Sequence, residues 1–193
     1  MVDISELRRV QREFVRERDW EQFHTPKNIA MALGGEVGEL AEAISRLKYR
    51  STNDAYDPSS EVIDEVGDVT LYLLRLHDLL GIPVVTGADL TDESQRLPRP
   101  VMLINAVFKL MASVGRILES YQWVAGDECL SSKAHERAAN RVVVATQDLV
   151  TVCSRLKVDP IAAATQKLEK NRQKYPVETS RGTSRKYTEM GEE

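Results

Sequence analysis

The sequence predicts an all-α protein whose core is a bundle of four helices. Along four segments the apolar residues recur at alternating steps of three and four, which is the spacing of amphipathic helices. The pairs Thr25-Pro26, Asp57-Pro58 and Asp159-Pro160 are typical helix starts, because the first residue caps the helix and proline fits its first position. No segment has the alternating pattern of a strand. A chain of 193 residues is long enough to bury such a core as one domain.

The first half of the chain contains three predicted helices. Residues 3 to about 22 form an amphipathic helix that ends before His24-Thr25-Pro26. The second helix begins at Pro26, and its inward row is Leu33, Val37, Leu40, Ile44 and Leu47. After a polar loop over 49–57, the third helix runs to Gly81-Ile82-Pro83, with the inward row Val62, Val66, Val69, Leu73, Leu76 and Leu80.

The second half contains three more predicted helices after a linker over 84–100, which has Gly and Pro and no period. The first has the inward row Leu103, Val107, Leu110, Val114, Ile117 and Tyr121. The second spans about 134–157, with the row Ala138, Val142, Ala145, Leu149, Val152 and Leu156. The last begins at Pro160 and ends at Tyr175-Pro176. Within a single domain we distinguish a metal-binding half (1–83), the linker (84–100), a second half (101–158) and a terminal helix with a basic tail (159–193).

The two halves look like copies of one helical hairpin. Residues 32–40 overlay 109–117, and 65–82 overlay 141–158, with the apolar rows coinciding. We therefore predict a fused pseudo-dimer, in which two hairpins pack face to face. The second copy replaces four acidic positions of the first by Ser113, Arg116, Arg141 and Val144. It is degenerate and cannot hold the same metal.

Those four acidic residues of the first hairpin are candidate metal ligands. Glu36 and Glu39 directly precede the inward residues of the second helix, as Glu65 and Asp68 do on the third. Each pair is spaced i,i+3, so its two side chains lie on the same side of the helix. In an antiparallel hairpin the two pairs should lie level, and four carboxylates would repel one another without a cation among them. Oxygen ligands favour Mg2+ or Mn2+ over Zn2+.

Composition excludes several other classes. The chain has 26 basic and 30 acidic residues and a net charge of −4, which is no signature of nucleic-acid binding. We find no apolar signal core at the N-terminus and no run approaching the ~18 apolar residues of a membrane span, so we expect a cytoplasmic protein. Cys129 and Cys153 lack metal or redox spacing and are expected to be reduced thiols.

The C-terminal tail concentrates basic residues. These are Lys167, Lys170, Arg172, Lys174, Arg181, Arg185 and Lys186. On composition alone such a tail could be a solvated terminus. Together with an acidic metal site, however, it suits a polyphosphate, because the metal and the basic side chains can share the phosphate charge.

Three segments carry a resemblance to a known family. They are Arg18-Asp-Trp20-Glu-Gln-Phe23-His24-Thr-Pro26-Lys27-Asn28, then Gly35-Glu-Val-Gly-Glu-Leu-Ala-Glu42, and the tail from Lys167 through Asn171-Arg172 to Tyr187. In this order they closely resemble the all-α nucleoside triphosphate pyrophosphatases of the MazG type, and within them the dCTP pyrophosphatase branch. The match covers residues 3–82 and 157–190.

The resemblance implies roles for individual residues. Glu36, Glu39, Glu65 and Asp68 would bind Mg2+, with Mn2+ as a substitute. Trp20 and His24 would form the base and sugar pocket, and Tyr72 would lie near the nucleotide. The phosphates would be reached by Lys167 and Asn171, with Arg172 beside them.

This chain also departs from the family pattern. The family's usual tryptophan after Glu-Leu-Ala-Glu is Arg46 here, while the second copy has Tyr121-Gln-Trp123 at that place. We therefore expect Trp123 to supply the stacking ring to the first half's site. An extra hairpin before the last helix leaves open which half serves each pocket residue, and whether a family-like homodimer forms.

The activity implied is Mg2+-dependent hydrolysis of a nucleoside triphosphate to the monophosphate and pyrophosphate, with Glu36 or Glu39 accepting the proton of the attacking water. A pyrimidine deoxynucleotide such as dCTP is the expected substrate. Two alternatives stay open. One is a pyrophosphatase for dUTP or for nucleotides in general, and the other is a catalytically reduced regulatory protein that only binds nucleotide.

Overall fold

The computed structural model describes residues 3–50, 55–84, 98–125 and 130–183, and these ranges are mostly helical. The helices are α1 (Ile4–Glu17), α2 (Pro26–Ser45), α3 (Ser60–Leu79), α4 (Arg99–Tyr121), α5 (Ser132–Leu156), α6 (Pro160–Lys174) and the short α7 (Val177–Ser180). Two strands of two residues, β1 (Tyr49–Arg50) and β2 (Ala55–Tyr56), pair antiparallel within the predicted polar loop. The all-α class is confirmed.

The main core lies between two helical hairpins. The hairpin of α2 and α3 packs on the hairpin of α4 and α5, with α2 against α4 and α3 against α5. All of the predicted inward residues of α2 to α5 are buried except Leu47, which lies two residues beyond the end of α2 and is partly exposed. The apolar rows at helical spacing therefore predicted the four-helix core correctly.

A second apolar cluster lies on the opposite side of α3. Helices α1 and α6 cover it, and its buried members are Leu7, Phe14, Val15, Leu71, Leu74, Ala164 and Leu168. Because α3 has a buried row facing each cluster, it is the central helix of the fold. This arrangement leaves a space bordered by α1, α2, α3 and α6, and the candidate site lies there.

The duplication of the hairpin stays a prediction, although one backbone detail agrees with it. Gly81 follows α3 and Lys157 follows α5 at matched positions of the proposed repeat, and they have φ angles of 65° and 57°. Glycine adopts this left-handed conformation freely, whereas a lysine there is strained.

Some helix boundaries differ from the predicted ones. Helix α1 ends at Glu17, earlier than expected, because the chain turns at Asp19 with a φ of 53°. Helix α3 is capped by Ser59, whose hydroxyl accepts from the Val62 N–H at 3.3 Å, so Asp57-Pro58 is not its cap. The caps at Thr25 and Asp159 are confirmed, since both side chains accept backbone N–H groups of the helix that follows.

Helix α4 corrects the expectation that no segment approaches a membrane span. By length and composition alone Arg99–Tyr121 could cross a membrane, although the core helix of a soluble protein passes the same test. Its inward face lies in the main core, while its outward face carries Val101, Ile104, Phe108 and Met111 at 40%, 49%, 62% and 44% exposure. The apolar composition of α4 thus comes from two different faces.

Other sequence predictions fall partly outside the described ranges. Helix α4 takes up the end of the predicted linker, and 85–97 lie outside the described residues, as do Cys129, Arg185 and Lys186. Cys153 is a buried free thiol, and burial raises its pKa to about 12.

Candidate active site

Three of the four predicted carboxylates form a tight cluster. Glu36 on α2 and Glu65 and Asp68 on α3 each offer an oxygen, and the three oxygens lie within 4.8 Å of one another. The neighbouring core residues Val37 and Val66 are buried, so the packing of α2 on α3 fixes the carboxylates at the edge of the core. The i,i+3 spacing of the acids beside the apolar rows predicted that the carboxylates of α2 and α3 would converge in this way.

The fourth predicted ligand, Glu39, lies at the rim of this cluster. Its side chain lines the same cavity but is exposed, and it is not among the three residues whose oxygens converge. Glu39 lies one helical turn after Glu36, and its side chain is exposed to solvent, whereas Glu36 faces α3. In this conformation the predicted four-carboxylate set is therefore a set of three with Glu39 beside it.

Burial and mutual repulsion make the cluster electrostatically unfavourable. Desolvation, followed by the charges of Asp68, Glu39 and Glu65, raises the pKa of Glu36 to about 7. Burial is also the largest cause of the raised pKa values of Glu65 and Asp68. One oxygen of Glu65, Oε2, is buried without a hydrogen-bond partner in the described part of the chain.

These features fit a hard divalent cation. Buried carboxylate oxygens normally have a donor or a positive charge beside them, and an unpartnered buried oxygen is costly. Three converging carboxylates supply the oxygen ligands that Mg2+ and Mn2+ prefer. Glu36, Glu65 and Asp68 are the residues that would hold the ion, and Glu39 is near enough to the rim to join them.

Lys167 on α6 supplies a positive charge to the cluster. Its ammonium contacts the Asp68 carboxylate, and both side chains are largely buried. Burial alone would lower the pKa of Lys167, but the hydrogen bond and charge of Asp68 outweigh burial, and the pKa is raised. Asn171 lies one turn further along α6 and lines the same cavity. The basic helix predicted to reach phosphates is thus beside the acids.

The cavity has a volume of about 550 Å3 and extends along α3. Asp68, Tyr72 and Arg75 line it in succession at steps of four and three, which places them on one face of the helix. From Asp68 to Arg75 the helix rises by about 10 Å. The cavity therefore has an acidic part around Asp68 and a second part around Arg75, with Tyr72 between them.

An aromatic wall encloses the second part. Trp20, in the turn between α1 and α2, packs edge-on against Phe14 and Tyr175, with ring centroids 5.6 Å and 5.2 Å away. Its indole N–H donates to the Ser180 carbonyl at 3.0 Å, so α7 fixes the ring. Trp20 thus has a packing role as well as lining the cavity.

His24 and Arg75 meet at this wall. The Arg75 Nε–H donates to His24 Nδ1 at 3.2 Å. Burial and the Arg75 charge lower the pKa of His24 to about 4, so the imidazole is neutral at physiological pH. Because Nδ1 accepts this bond, the imidazole proton is on Nε2.

Several residues that line the cavity were not among the predicted site residues, and three of them matter for its chemistry or shape. Gln11, Phe14 and Arg75 all line it. A signal was present for two of them: Gln11 occupies an inward position of α1, and Arg75 interrupts the apolar run Leu71-Tyr72-Leu73-Leu74-Arg75-Leu76. A polar or charged residue at a core position indicates a buried partner or a ligand.

Two predicted substrate residues lie elsewhere. Trp123 is 85% exposed in the turn after α4 and does not line the cavity, because α4 packs on α2 and α5 rather than on α1 and α6. The expectation that Trp123 supplies a stacking ring within the same chain is therefore wrong for this structure. Arg172 also lies outside the cavity lining, next to Asn171 but on another face of α6, where it pairs with Glu169 at 3.8 Å.

Fold and site together define an all-α protein with a carboxylate cluster facing a cavity lined by basic and aromatic residues. Comparison with known proteins gives a more particular result. The chain is 36% identical over 105 residues to dCTP pyrophosphatase 1 of Mus musculus. The aligned region covers 49% of the chain and 59% of that protein. No family model and no solved structure matches the chain.

Two other relatives have the same name. Over 76 residues the chain is 42% identical to dCTP pyrophosphatase 1 of Rattus norvegicus and 41% identical to that of Homo sapiens, in each case covering 38% of the chain and 45% of the relative. The chain thus spans about half the length of the curated relatives it matches. Over that part the resemblance to the dCTP pyrophosphatase branch is confirmed.

Proposed function

We propose that this protein is a Mg2+-dependent nucleoside triphosphate pyrophosphohydrolase that acts on a pyrimidine deoxynucleotide such as dCTP. The observation that carries the proposal is the cluster of Glu36, Glu65 and Asp68, with oxygens within 4.8 Å, in a cavity also lined by Lys167 and Asn171. The names of the relatives support the substrate class. A cytoplasmic location, and a homodimer as the assembly, complete the proposal.

The reaction consumes one water molecule. Its oxygen bonds to the α-phosphorus, the bond from that phosphorus to the α–β bridging oxygen breaks, and pyrophosphate leaves the nucleoside monophosphate. Mg2+, when bound, neutralises phosphate charge and activates water. Lys167 and Asn171 would orient the polyphosphate by donating hydrogen bonds to its oxygens.

The proton of the attacking water must be accepted by a nearby carboxylate. Glu36 and Glu39 are the candidates. Glu39 lines the cavity at the rim of the cluster and is not among the three residues whose oxygens converge. That position favours Glu39 as the general base, while Glu36, with a pKa near 7 in the absence of metal, belongs to the cation site.

The test of the activity is hydrolysis of a panel of deoxynucleoside and nucleoside triphosphates with and without Mg2+. We expect monophosphate and pyrophosphate as products, with dCTP preferred and no turnover in EDTA. Preference for dUTP or no preference among the bases would support the broader pyrophosphatase. Nucleotide binding in calorimetry without any product would support the regulatory alternative and overturn the proposal.

Replacement of the proposed base is a sharper test. Glu39→Gln should lower kcat by about 100-fold or more, since general base catalysis contributes on the order of 10²–10⁴. Its folding should be preserved, because Glu39 is exposed. The matched control is Glu42→Gln, one turn further along α2, where an exposed glutamate pairs with Arg46 and does not line the cavity. Full activity of Glu39→Gln would show that the base is another residue.

A further inference from the structure

Arg75 presents hydrogen-bond donors that the protein leaves unused. The side chain is 7% exposed and lines the cavity. Its Nε–H donates to His24, but among residues 3–50, 55–84, 98–125 and 130–183 no acceptor is bonded to the two terminal nitrogens. Asp78, the acid that follows on α3, contacts Arg8 and Arg12 instead. A buried guanidinium with unused donors beside a cavity is suited to a ligand that brings acceptors.

Gln11 presents the complementary unused group. Its amide N–H donates to the Leu71 carbonyl at 2.7 Å, and this bond fixes which end of the amide is nitrogen. The amide oxygen Oε1 is therefore an acceptor, and it is buried without a partner in the described part of the chain. Gln11 is 6% exposed and lines the same cavity.

The two groups belong to the same part of the cavity wall. Leu71, which holds the Gln11 amide, lies one helical turn before Arg75 on α3. His24 fixes Arg75 through Nε, so the terminal nitrogens keep a defined orientation. The wall thus offers one acceptor, from Gln11, and paired donors, from Arg75.

This pattern matches one pyrimidine base edge and opposes the others. Cytosine has an amino donor at N4 and acceptors at N3 and O2. Thymine and uracil have a carbonyl at position 4 and an N–H at position 3, so they would set acceptor against acceptor and donor against donor. Adenine has a donor and one acceptor but lacks the second acceptor. An unpaired buried polar group discriminates strongly, because the wrong base leaves it unsatisfied.

We propose that Gln11 and Arg75 read the base of the nucleotide, with Gln11 Oε1 accepting from the cytosine amino group and the Arg75 terminal nitrogens donating to N3 and O2. The inference rests on the proposed function for the position of the phosphates, since they would lie about 10 Å away along α3, beside Asp68. His24 is a positioning residue in this arrangement, because it holds Arg75 and leaves the base-facing donors free.

The experiment compares kcat/KM for dCTP and dTTP in the wild-type protein and in Arg75→Gln, Arg75→Lys and Gln11→Met. Arg75→Gln should lower kcat/KM for dCTP by about 10- to 100-fold, which is the usual discrimination of a bidentate base contact. The value for dTTP should change less than threefold. Arg75→Lys should lose most of the preference too, because lysine keeps the charge but not the fork of donors. Gln11→Met should lower the dCTP value and raise the dTTP value.

Arg8→Gln is the matched control, since Arg8 contacts Asp78 in the same charged cluster but does not line the cavity. It should keep the wild-type preference. If Arg75→Gln lowered kcat/KM equally for dCTP and dTTP, Arg75 would contact a part of the substrate that all nucleotides share, and the inference would be overturned. An unchanged preference in folded Arg75 and Gln11 variants would overturn it as well.

Binding calorimetry with nonhydrolysable dCTP and dTTP analogues separates this inference from the proposed function. If the wild-type protein turns over no nucleotide, the proposed activity fails. The base contacts are then still decided by whether the dCTP analogue binds more tightly and whether Arg75→Gln abolishes the difference. Equal affinity of the wild-type protein for the two analogues would reject the base contacts.

Discussion

Glu36 is the residue at which the conflict between folding and function is clearest. The packing of α2 on α3 holds its carboxyl group beside two other acids in a half-buried place, where its charge is unfavourable. Its pKa is raised to about 7 from the ordinary 4.5, mainly by desolvation and then by the neighbouring carboxylates. A folded protein that binds a proton here more tightly than the unfolded chain does is most stable when that proton is bound.

The first prediction concerns the pH dependence of metal-free stability. The contribution of Glu36 is fully present below pH 4.5 and is lost as pH rises through about 7. Other groups also titrate in this range, so the measurement is the difference between the wild-type protein and Glu36→Gln in urea unfolding with EDTA. Glu36→Gln should gain stability relative to the wild type as pH rises from 5 to 8. A constant difference over this range would contradict the raised pKa.

At the same scale, the sequence predicted the acids better than the base contacts. The positions of Glu36, Glu65 and Asp68 could be predicted because each lies at a fixed spacing from buried apolar residues of its helix. Packing of those apolar residues brings the neighbouring acids together as well. Gln11 and Arg75 interrupt otherwise apolar rows, and the sequence alone does not say whether such a residue meets a protein partner or a ligand. Trp123 was wrongly assigned to the site because its role was inferred from the matched position of the repeat. The packing of α4 on α2 and α5 instead places the end of α4, and Trp123 with it, away from the cavity.

Among the elements, the contact between α3 and α6 brings the basic helix to the acids. Gly67, between Glu65 and Asp68, lets α6 approach closely. A Cβ at this position would lie 2.7 Å from the Lys167 Cβ and 2.8 Å from the Ala163 carbonyl oxygen. Both distances are shorter than real Cβ contacts, and the carbonyl belongs to backbone that cannot turn aside.

The corresponding prediction is that Gly67→Ala separates α3 from α6. We expect a loss of about 1–3 kcal/mol in the free energy of unfolding, the usual cost of overpacking. Weaker nucleotide binding should accompany it, because Lys167 would move away from Asp68. Calorimetric titration and urea unfolding measure the two effects.

Gly115→Ala on α4 is the control for this substitution. A Cβ at Gly115 meets no atom within 4 Å, and the residue is exposed within a helix. Alanine should therefore stabilise the protein there by about 0.5–1 kcal/mol. A Gly67→Ala protein as stable as wild type would mean that the two helices can shift without cost.

For the whole molecule, the cation site links ligand binding to global stability. Its three carboxylates come from α2 and α3, which belong to the main core, and Lys167 comes from α6, which covers the second cluster. A cation bound to the folded protein alone stabilises the whole fold by mass action.

We accordingly predict that Mg2+ raises the melting temperature in a concentration-dependent way. The gain should be about 2.7 kcal/mol at a concentration 100-fold above Kd. Glu65→Gln should be more stable than wild type in EDTA, because it removes one repelling charge, yet should gain much less from Mg2+. A Mg2+ response equal in both proteins would place the ion elsewhere.

The global architecture was the part that the sequence predicted most completely. Four apolar rows specified which helix faces meet, and the caps at Thr25 and Asp159 specified where two helices begin. The second apolar cluster was less predictable, because Leu71 and Leu74 lie outside the single row assigned to α3. Apolar residues on a second side of a helix do not stand out from those of the first row in the sequence, so the row that faces the second cluster was missed.

The pairing of Lys167 with Asp68 has one more consequence. An ammonium group already placed on the carboxylates serves as their counter-ion in the ligand-free protein, so the site can stay assembled before any cation arrives. If a cation took the Asp68 oxygen that Lys167 contacts, the ammonium would need another acceptor, and Lys167 and Asn171 both line the cavity where phosphate oxygens would lie. Binding of the cation by the carboxylates would then release Lys167 for the phosphates in the same event. A nucleotide would meet both the cation and a free ammonium group only after the ion is bound.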